Sequence, residues 1–245
     1  MQFDILTIFP EMFQSPLEHS ILKRAISLKK IRISILNIRD FAEGPHRNVD
    51  DIPYGGGAGM VFKPEPLVRA IESIGTVGKR KNILLTPRGR PLTQEKVEEL
   101  AGFDQLILVC GRYEGVDERV VELKIDEEIS VGDYILSGGE LAALLIIDAV
   151  SRLIPGVLGN EDSLKKESFV QGLLEHPHYT RPEIFRGLCI PPVLRSGNHR
   201  EIEIWRRQEA LKTTLDRRPD LLKKARLSPR EESYLKELQK GEKSG

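Results

Sequence analysis

Cysteine is almost missing from this chain. Cys110 and Cys189 are the two present, far apart and with no CxxC spacing, which excludes a disulfide framework and a zinc ribbon and suits a reducing cytoplasm. Net charge is missing too, with 37 Lys and Arg against 37 Asp and Glu. No run of apolar residues is long enough to span a bilayer: the most apolar stretch, residues 141–154, is too short and is interrupted by Asp148, Ser151 and Arg152. The N-terminal MQFDILTIF carries an acid at position 4 and no basic leader, so it makes a poor signal peptide. Several catalytic signatures are absent as well. The glycine run YGGGAGM (residues 54–60) lacks the lysine and hydroxyl of a phosphate-binding loop, no GxGxxG follows a strand, and no GxSxG elbow occurs. The five histidines show no zinc spacing beyond His176 and His178, which are flanked by prolines. Cys110, at the end of an apolar strand, reads as core packing rather than as a nucleophile.

What is present is an alternation of strands and helices over 245 residues, enough for one large or two modest domains. Residues 2–9, 31–38, 82–86, 105–110 and 126–131 are predicted strands. Helices are predicted over residues 15–29, opened by the capping box Ser15-Pro16-Leu17-Glu18, and over 66–74, 93–100 and 116–123. Such alternation implies an α/β fold on a parallel sheet, with ligands expected at the carboxyl ends of its strands. Three loops leave such ends: residues 86–91 (around PRGRP), 111–119 (GRYEGVDER) and 132–139. A fourth irregular stretch, residues 43–64, holds five glycines from Gly44 to Gly59. After Gly159 the texture becomes polar, then helical. Asn198 caps a predicted helix to about residue 215, and Ser228-Pro229-Arg230-Glu231 opens another. The domain reading is 1–160 for the α/β body, 161–172 for a linker and 173–245 for a small helical domain.

The stretch 129–159 organises the rest. A strand end runs into a loop with three glycines, and a capping box formed by Ser137 and Glu140 opens a helix that is apolar almost all round. Such a helix needs cover on most sides, from its own core or from a partner subunit. Gly138 and Gly139 suit either close approach of a flat or anionic group to the helix start or a simple strand-to-helix turn. Around these loops stand Asp50, Arg112, Glu114, Asp133, Arg152 and Glu167. Carboxylates and arginines without a nucleophile fit proton abstraction and charge stabilisation, or magnesium held through oxygen. Charge is also unevenly spread. Residues 181–230 carry 13 Lys and Arg against 6 Asp and Glu, on an acidic remainder. That points to a polyanionic partner, with Arg206 and Arg207 in the basic stretch and Tyr179 and Trp205 available for stacking, or to a solvated helical surface.

At LTPRGRPL, ILVCGRYEGVDER, EISVGDYILSGGE, DAVSRLIPGVLG, SFVQGLLEHPHYTRPE and PPVLRSGNH the chain resembles the bacterial tRNA (guanine-N(1))-methyltransferases that act at tRNA position 37, members of the SPOUT superfamily. The resemblance runs in order from IFPEMF, through HRNVDDIPYGGGAGM, to the C-terminal helices. It implies an α/β domain with a trefoil knot, a helical C-terminal domain that binds tRNA, and a cytoplasmic homodimer with its active site at the subunit interface. It implies S-adenosylmethionine bent among Leu85, Pro87, Gly111, Tyr113, Glu114, Gly115, Val131, Gly132, Asp133, Tyr134, Ile135, Leu136, Gly138 and Gly139. It implies a general base at Glu167, where the family has an aspartate one methylene shorter, an essential arginine at Arg152, and Mg2+ linked to Glu114. Asp50 and His178 match residues implicated in tRNA handling or catalysis. The rival readings are a SPOUT methyltransferase acting on another RNA site and a catalytically silent RNA-binding protein of the same fold.

Overall fold

The computed structural model describes residues 1–159 and 167–242, and the chain divides into two compact units, Met1–Gly159 and Asn160–Gly245. Residues 161–166 of the predicted linker lie outside the described residues. In the first unit, strands β1 (Gln2–Thr7) and β2 (Arg32–Asn37) flank the short helices α1 (Gln14–Leu17) and α2 (Ser20–Ser27). A two-stranded ribbon, β3 (Asp50–Asp51) and β4 (Val61–Phe62), precedes α3 (Pro64–Ser73). Then follow β5 (Arg80–Pro91), α4 (Gln94–Ala101), β6 (Gln105–Cys110), α5 (Glu118–Lys124), β7 (Glu127–Ser130) and α6 (Glu140–Ser151). The main sheet is ordered β2-β1-β6-β5-β7 and every pairing in it is parallel. Its central strand, β6, is buried along its whole length (QLILVC), as a strand covered on both faces must be. One apolar cluster gathers α2, α4 and α6 against one face, and a second gathers α3 and α5 against the other.

Three expectations are corrected. The helix predicted over 15–29 is broken: α1 ends at Leu17, Ser20 takes φ +52°, and α2 restarts with His19 as its N-cap, so Ser15 caps nothing. The PRGRP segment is not a free loop. β5 loses register after Leu85 and regains it at Arg90, so that Leu85 and Arg90 both pair with Ile129. Gly89 makes this crossing possible, because a Cβ there would sit 2.4 Å from the Ile129 nitrogen. Third, Ser137 does not cap α6, whose N-cap is Gly139, with no side-chain hydrogen bond.

At the outer edge of the sheet, β5, α4 and β7 are tied by charge. Lys81 Nζ lies 2.6 Å from Glu127 and 2.9 Å from Glu99, while Lys96 Nζ lies 2.5 Å from Glu99 and 2.8 Å from Glu127. Hydrogen bonds from Lys96 and Lys81 lower the Glu99 carboxyl to about 2. Burial works against ionisation of Glu127, but the same two lysines outweigh it and draw its carboxyl down from 4.5. Both carboxyls are therefore depressed in the folded state. Their stabilisation is complete above the unfolded value near 4.5 and is lost as pH falls from there towards about 2. Thermal melts should show the melting temperature dropping through that window, and Glu127→Gln should flatten the drop. An unchanged profile in the variant would remove this cluster from the account of acid sensitivity.

The second unit contains a hairpin, β8 (Ile184–Phe185) and β9 (Leu188–Cys189), and helices α7 (His199–Arg217), α8 (Pro219–Leu222) and α9 (Pro229–Glu242). Asn198 caps α7 as predicted, by accepting from the Glu201 amide. The Ser228 capping box is formed in both directions: the Ser228 amide donates to Glu231 at 2.6 Å and the Glu231 amide to Ser228 Oγ at 3.4 Å. A small core of Leu173, Ala210, Leu211 and Leu235 holds these helices together. Among the described residues no helix is long and apolar enough to cross a membrane.

Candidate active site

The carboxyl ends of β5, β6 and β7 open into a cavity of about 390 Å3. Its walls are the three loops singled out in the sequence. Two of them are sewn together by backbone: Arg112 and Gly138 form an antiparallel bridge, and the Gly139 amide donates to the Gly111 carbonyl at 2.8 Å. Gly139 is glycine for a spatial reason, since a Cβ there would lie 2.7 Å from the Cys110 Cα and 3.0 Å from the Gly111 nitrogen. At Gly138 a Cβ would meet the Arg112 and Glu140 side chains. Both glycines thus serve a close seam between the strand end and the helix start, in the cavity wall itself.

Behind the seam lies a buried carboxylate. Glu140 is 1% exposed and accepts from Thr7 Oγ1 at 2.8 Å and from Arg112 Nε at 3.3 Å. The Arg112 guanidinium also stacks on the Phe9 ring, 4.2 Å from its centroid. A buried carboxylate must be paired and hydrogen-bonded to be tolerated, and this one ties β1, the loop after β6 and α6 together. The sequence reading gave Glu140 the wrong task, as a helix-capping partner of Ser137. The available signal was a lone acid opening an otherwise apolar helix. Burial raises the Cys110 thiol well above its ordinary range, helped by the charge of Glu140, so this cysteine is an inert part of the buried strand behind the cavity.

Beyond Arg112 the same loop is shaped by two unusual backbones. Tyr113 holds φ +59°, and its ring meets the Phe62 ring edge-on at 5.3 Å. Gly115 takes φ +136°, where a side chain is strained. The β4 strand joins this wall: the Phe62 amide donates to the Gly115 carbonyl, and the Glu114 amide to the Met60 carbonyl. Asp50 pairs with Phe62 across the β3–β4 ribbon, so the segment reaches the cavity-lining Glu114 and Gly115 through its β4 end.

All but one of the expected cofactor residues line this cavity: Leu85, Pro87, Gly111, Tyr113, Glu114, Gly115, Val131, Gly132, Tyr134, Ile135, Leu136, Gly138 and Gly139. Asp133 is exposed and is not among the lining residues. The walls also include Thr86, Arg88 and Arg112. Arg152 is not at the cavity. It caps the far end of α6, and a helix of 12 residues spans roughly 18 Å. Glu167, half-buried, and His178, 3.1 Å from Glu175, belong to the second unit. So do Arg206 and Arg207, and both have protein partners. Arg206 lies 2.8 Å from Glu203, and Arg207 donates to Glu231 and Gln171. As for Mg2+, Glu114 is a single exposed carboxylate, and among the described residues no group of three or more His, Cys, Asp or Glu side chains converges. That donor set does not make a resident metal site.

The comparisons with known proteins agree with one another. Residues 1–224 match the family model described as tRNA (Guanine-1)-methyltransferase TrmD. A protein of Dehalococcoides mccartyi (strain ATCC BAA-2266 / KCTC 15142 / 195) is 55% identical over 240 residues, 97% of either chain. One from Geotalea uraniireducens (strain Rf4) is 56% identical over 241 residues, 98% of either chain. One from Bacillus cereus (strain B4264) is 51% identical over 242 residues, 98% of this chain and 99% of its own. All three bear the name tRNA (guanine-N(1)-)-methyltransferase.

Proposed function

The chain belongs to the tRNA (guanine-1)-methyltransferase family, and from that premise we propose that it methylates the 1-nitrogen of guanosine 37 in tRNA, with S-adenosylmethionine bound in the cavity of the first unit. The observation that carries this reading is the convergence of three strand-end loops on one cavity, walled by backbone and glycine. A flat purine and a zwitterionic amino acid both need close backbone approach, and these walls permit it. When bound, S-adenosylmethionine supplies an electrophilic methyl group on a sulfonium and leaves as the neutral thioether.

The protein's own residues must then deal with the guanine. Its N1 bears a proton, and neutral guanine is a poor nucleophile there. Glu167 takes that proton as the N1–CH3 bond forms, and Arg152 steadies the negative charge that builds on the base's carbonyl oxygen. Arg152 stands at the end of α6 remote from the cavity of its own chain, so the reading requires a second copy. Its support is the outer face of α6, where Leu141 and Leu145 are 50% and 49% exposed and Arg152 follows on the same side. A homodimer packed on that face covers the two leucines and brings Arg152 to the partner's cavity. Asp50 in the β3–β4 ribbon and His178 in the second unit are assigned to substrate handling, and the basic second unit to tRNA docking; a cytoplasmic location, shared with the tRNA, belongs to the same proposal.

A SPOUT-type trefoil knot belongs to the same proposal. It is supported by the path after β7. From the sheet's edge the chain turns inwards past β5 to seat Gly139 on Cys110, while residues 86–91 wrap around β7. Methyl transfer from labelled cofactor to unmodified tRNA transcripts tests the assignment: transcripts with guanosine 37 should be methylated, and those with adenosine there should not. Equal labelling of both would move the target to another RNA site.

A further inference from the structure

The loop between β3 and β4 carries an aromatic ring that is packed against nothing in the first unit. Tyr54 is fully exposed (101%), and Ile52, two residues earlier, is 70% exposed. Gly55, Gly56, Gly57 and Gly59 follow, all at positive φ, and a Cβ added at Gly55, Gly56 or Gly57 would meet nothing within 4 Å. A tyrosine in such a place covers no core, contributes no packing, and costs solubility. Yet the loop is firmly rooted at the cavity. Gly59 lies against the Glu114 carboxylate, so closely that a Cβ would overlap it, and Met60 accepts the Glu114 amide at 2.9 Å. Both strands at its base belong to the ribbon that pairs with Gly115, Val116 and Asp117. An unpacked ring is thus held on an anchored stem at the rim of the site that handles an RNA base.

We propose that Tyr54 is a positioning residue for the RNA substrate: its ring stacks on a nucleotide next to the target guanine and holds the strand at the cavity mouth. The chemistry fits. An RNA base presents a π-face of any sequence, and single-stranded or loop RNA is held by protein aromatics in just this manner. The glycines give the ring freedom to meet the base, and the exposed Ile52 and the half-buried Pro53 beside it add apolar surface for the ribose and base edges. This inference rests on the tRNA-methyltransferase reading above.

The test is steady-state kinetics of tRNA methylation by the full-length protein with Tyr54→Ala and Tyr54→Phe. Loss of one stacked base should raise the KM for tRNA by about 5- to 150-fold in Tyr54→Ala, with the Kd for S-adenosylmethionine and the melting temperature at parent values. Tyr54→Phe, which keeps the π-face and loses the hydroxyl, should restore the parent KM. In parallel, 2-aminopurine placed beside position 37 should be quenched on binding to the parent and to Tyr54→Phe, but not to Tyr54→Ala. A parent KM in Tyr54→Ala overturns the proposal, and so does a Tyr54→Phe variant as impaired as the alanine one. A parent protein that transfers no methyl group to tRNA overturns instead the functional reading on which the proposal stands.

Discussion

Glu167→Ala should lower the turnover number for methyl transfer by about 10²–10⁴-fold, the usual contribution of a positioned general base. The Kd for S-adenosylmethionine should not change, because the cavity is built wholly from the first unit and Glu167 belongs to the second. The KM for tRNA should change little, because the proton is removed only as the methyl group transfers, and an interaction made only in the transition state appears in kcat. Glu167→Asp shortens the side chain by one methylene, restoring the aspartate that the resembled family carries, and should stay active. Raising the pH should partly rescue the alanine variant, because hydroxide and a deprotonated guanine then do part of its work. If Glu167→Ala turns over at the parent rate, the proton leaves by another route and the assignment of the base is wrong.

Gly139→Ala should weaken cofactor binding strongly while the protein still folds. The added Cβ would lie 2.7 Å from the Cys110 Cα and 3.0 Å from the Gly111 nitrogen, and both of those are backbone atoms at the end of a fully buried strand. Overpacking typically costs 1–3 kcal/mol even where side chains can move aside, roughly, and here no side chain can. The seam must open, and with it go the Gly139–Gly111 hydrogen bond and the Arg112–Gly138 bridge that close one wall of the cavity. Titration calorimetry should show the Kd for S-adenosylmethionine rising by about 10²-fold or more, the equivalent of the upper end of that cost. Gly75→Ala is the control: a Cβ there meets nothing within 4 Å, its backbone is not at positive φ, and binding should match the parent. A Gly139→Ala protein that binds cofactor normally would show that the seam yields without cost.

The Gly139 case marks the boundary between what the chain spells out and what folding adds. Alternating strands and helices, the all-apolar QLILVC strand and the Thr93, Asn198 and Ser228 caps are local properties, set within a few residues by side-chain period and short hydrogen bonds, and they could be read directly. The parallel sheet followed from them, and so did the position of the cavity, since strand ends in such a sheet point to one side. Glycine at 138 and 139 was legible as either a place of close approach by a ligand or a strand-to-helix turn. That the approaching atoms are the backbone of Cys110 and Gly111 was not, because those residues are nearly thirty positions away in the chain.

Charge shows the same limit more sharply. Ser137 and Glu140 have the spacing of a capping box, and the local rule would use Glu140 for the helix start. Instead its carboxylate turns inwards to Thr7, 133 residues earlier, and to Arg112, because burying an acid beside a hydroxyl and a guanidinium ties three elements at once. Arg207, expected on an RNA-facing surface, is likewise held by Glu231 and Gln171 within its own unit. Side-chain period and short hydrogen bonds were enough for most of the elements, for the Asn198 and Ser228 caps and for the place of the loops around the site, but not for the break in the helix over 15–29 or for Ser137. The tertiary structure alone decided which charges those elements spend on one another, since an ion pair depends on distance in space and the chain records only distance along itself.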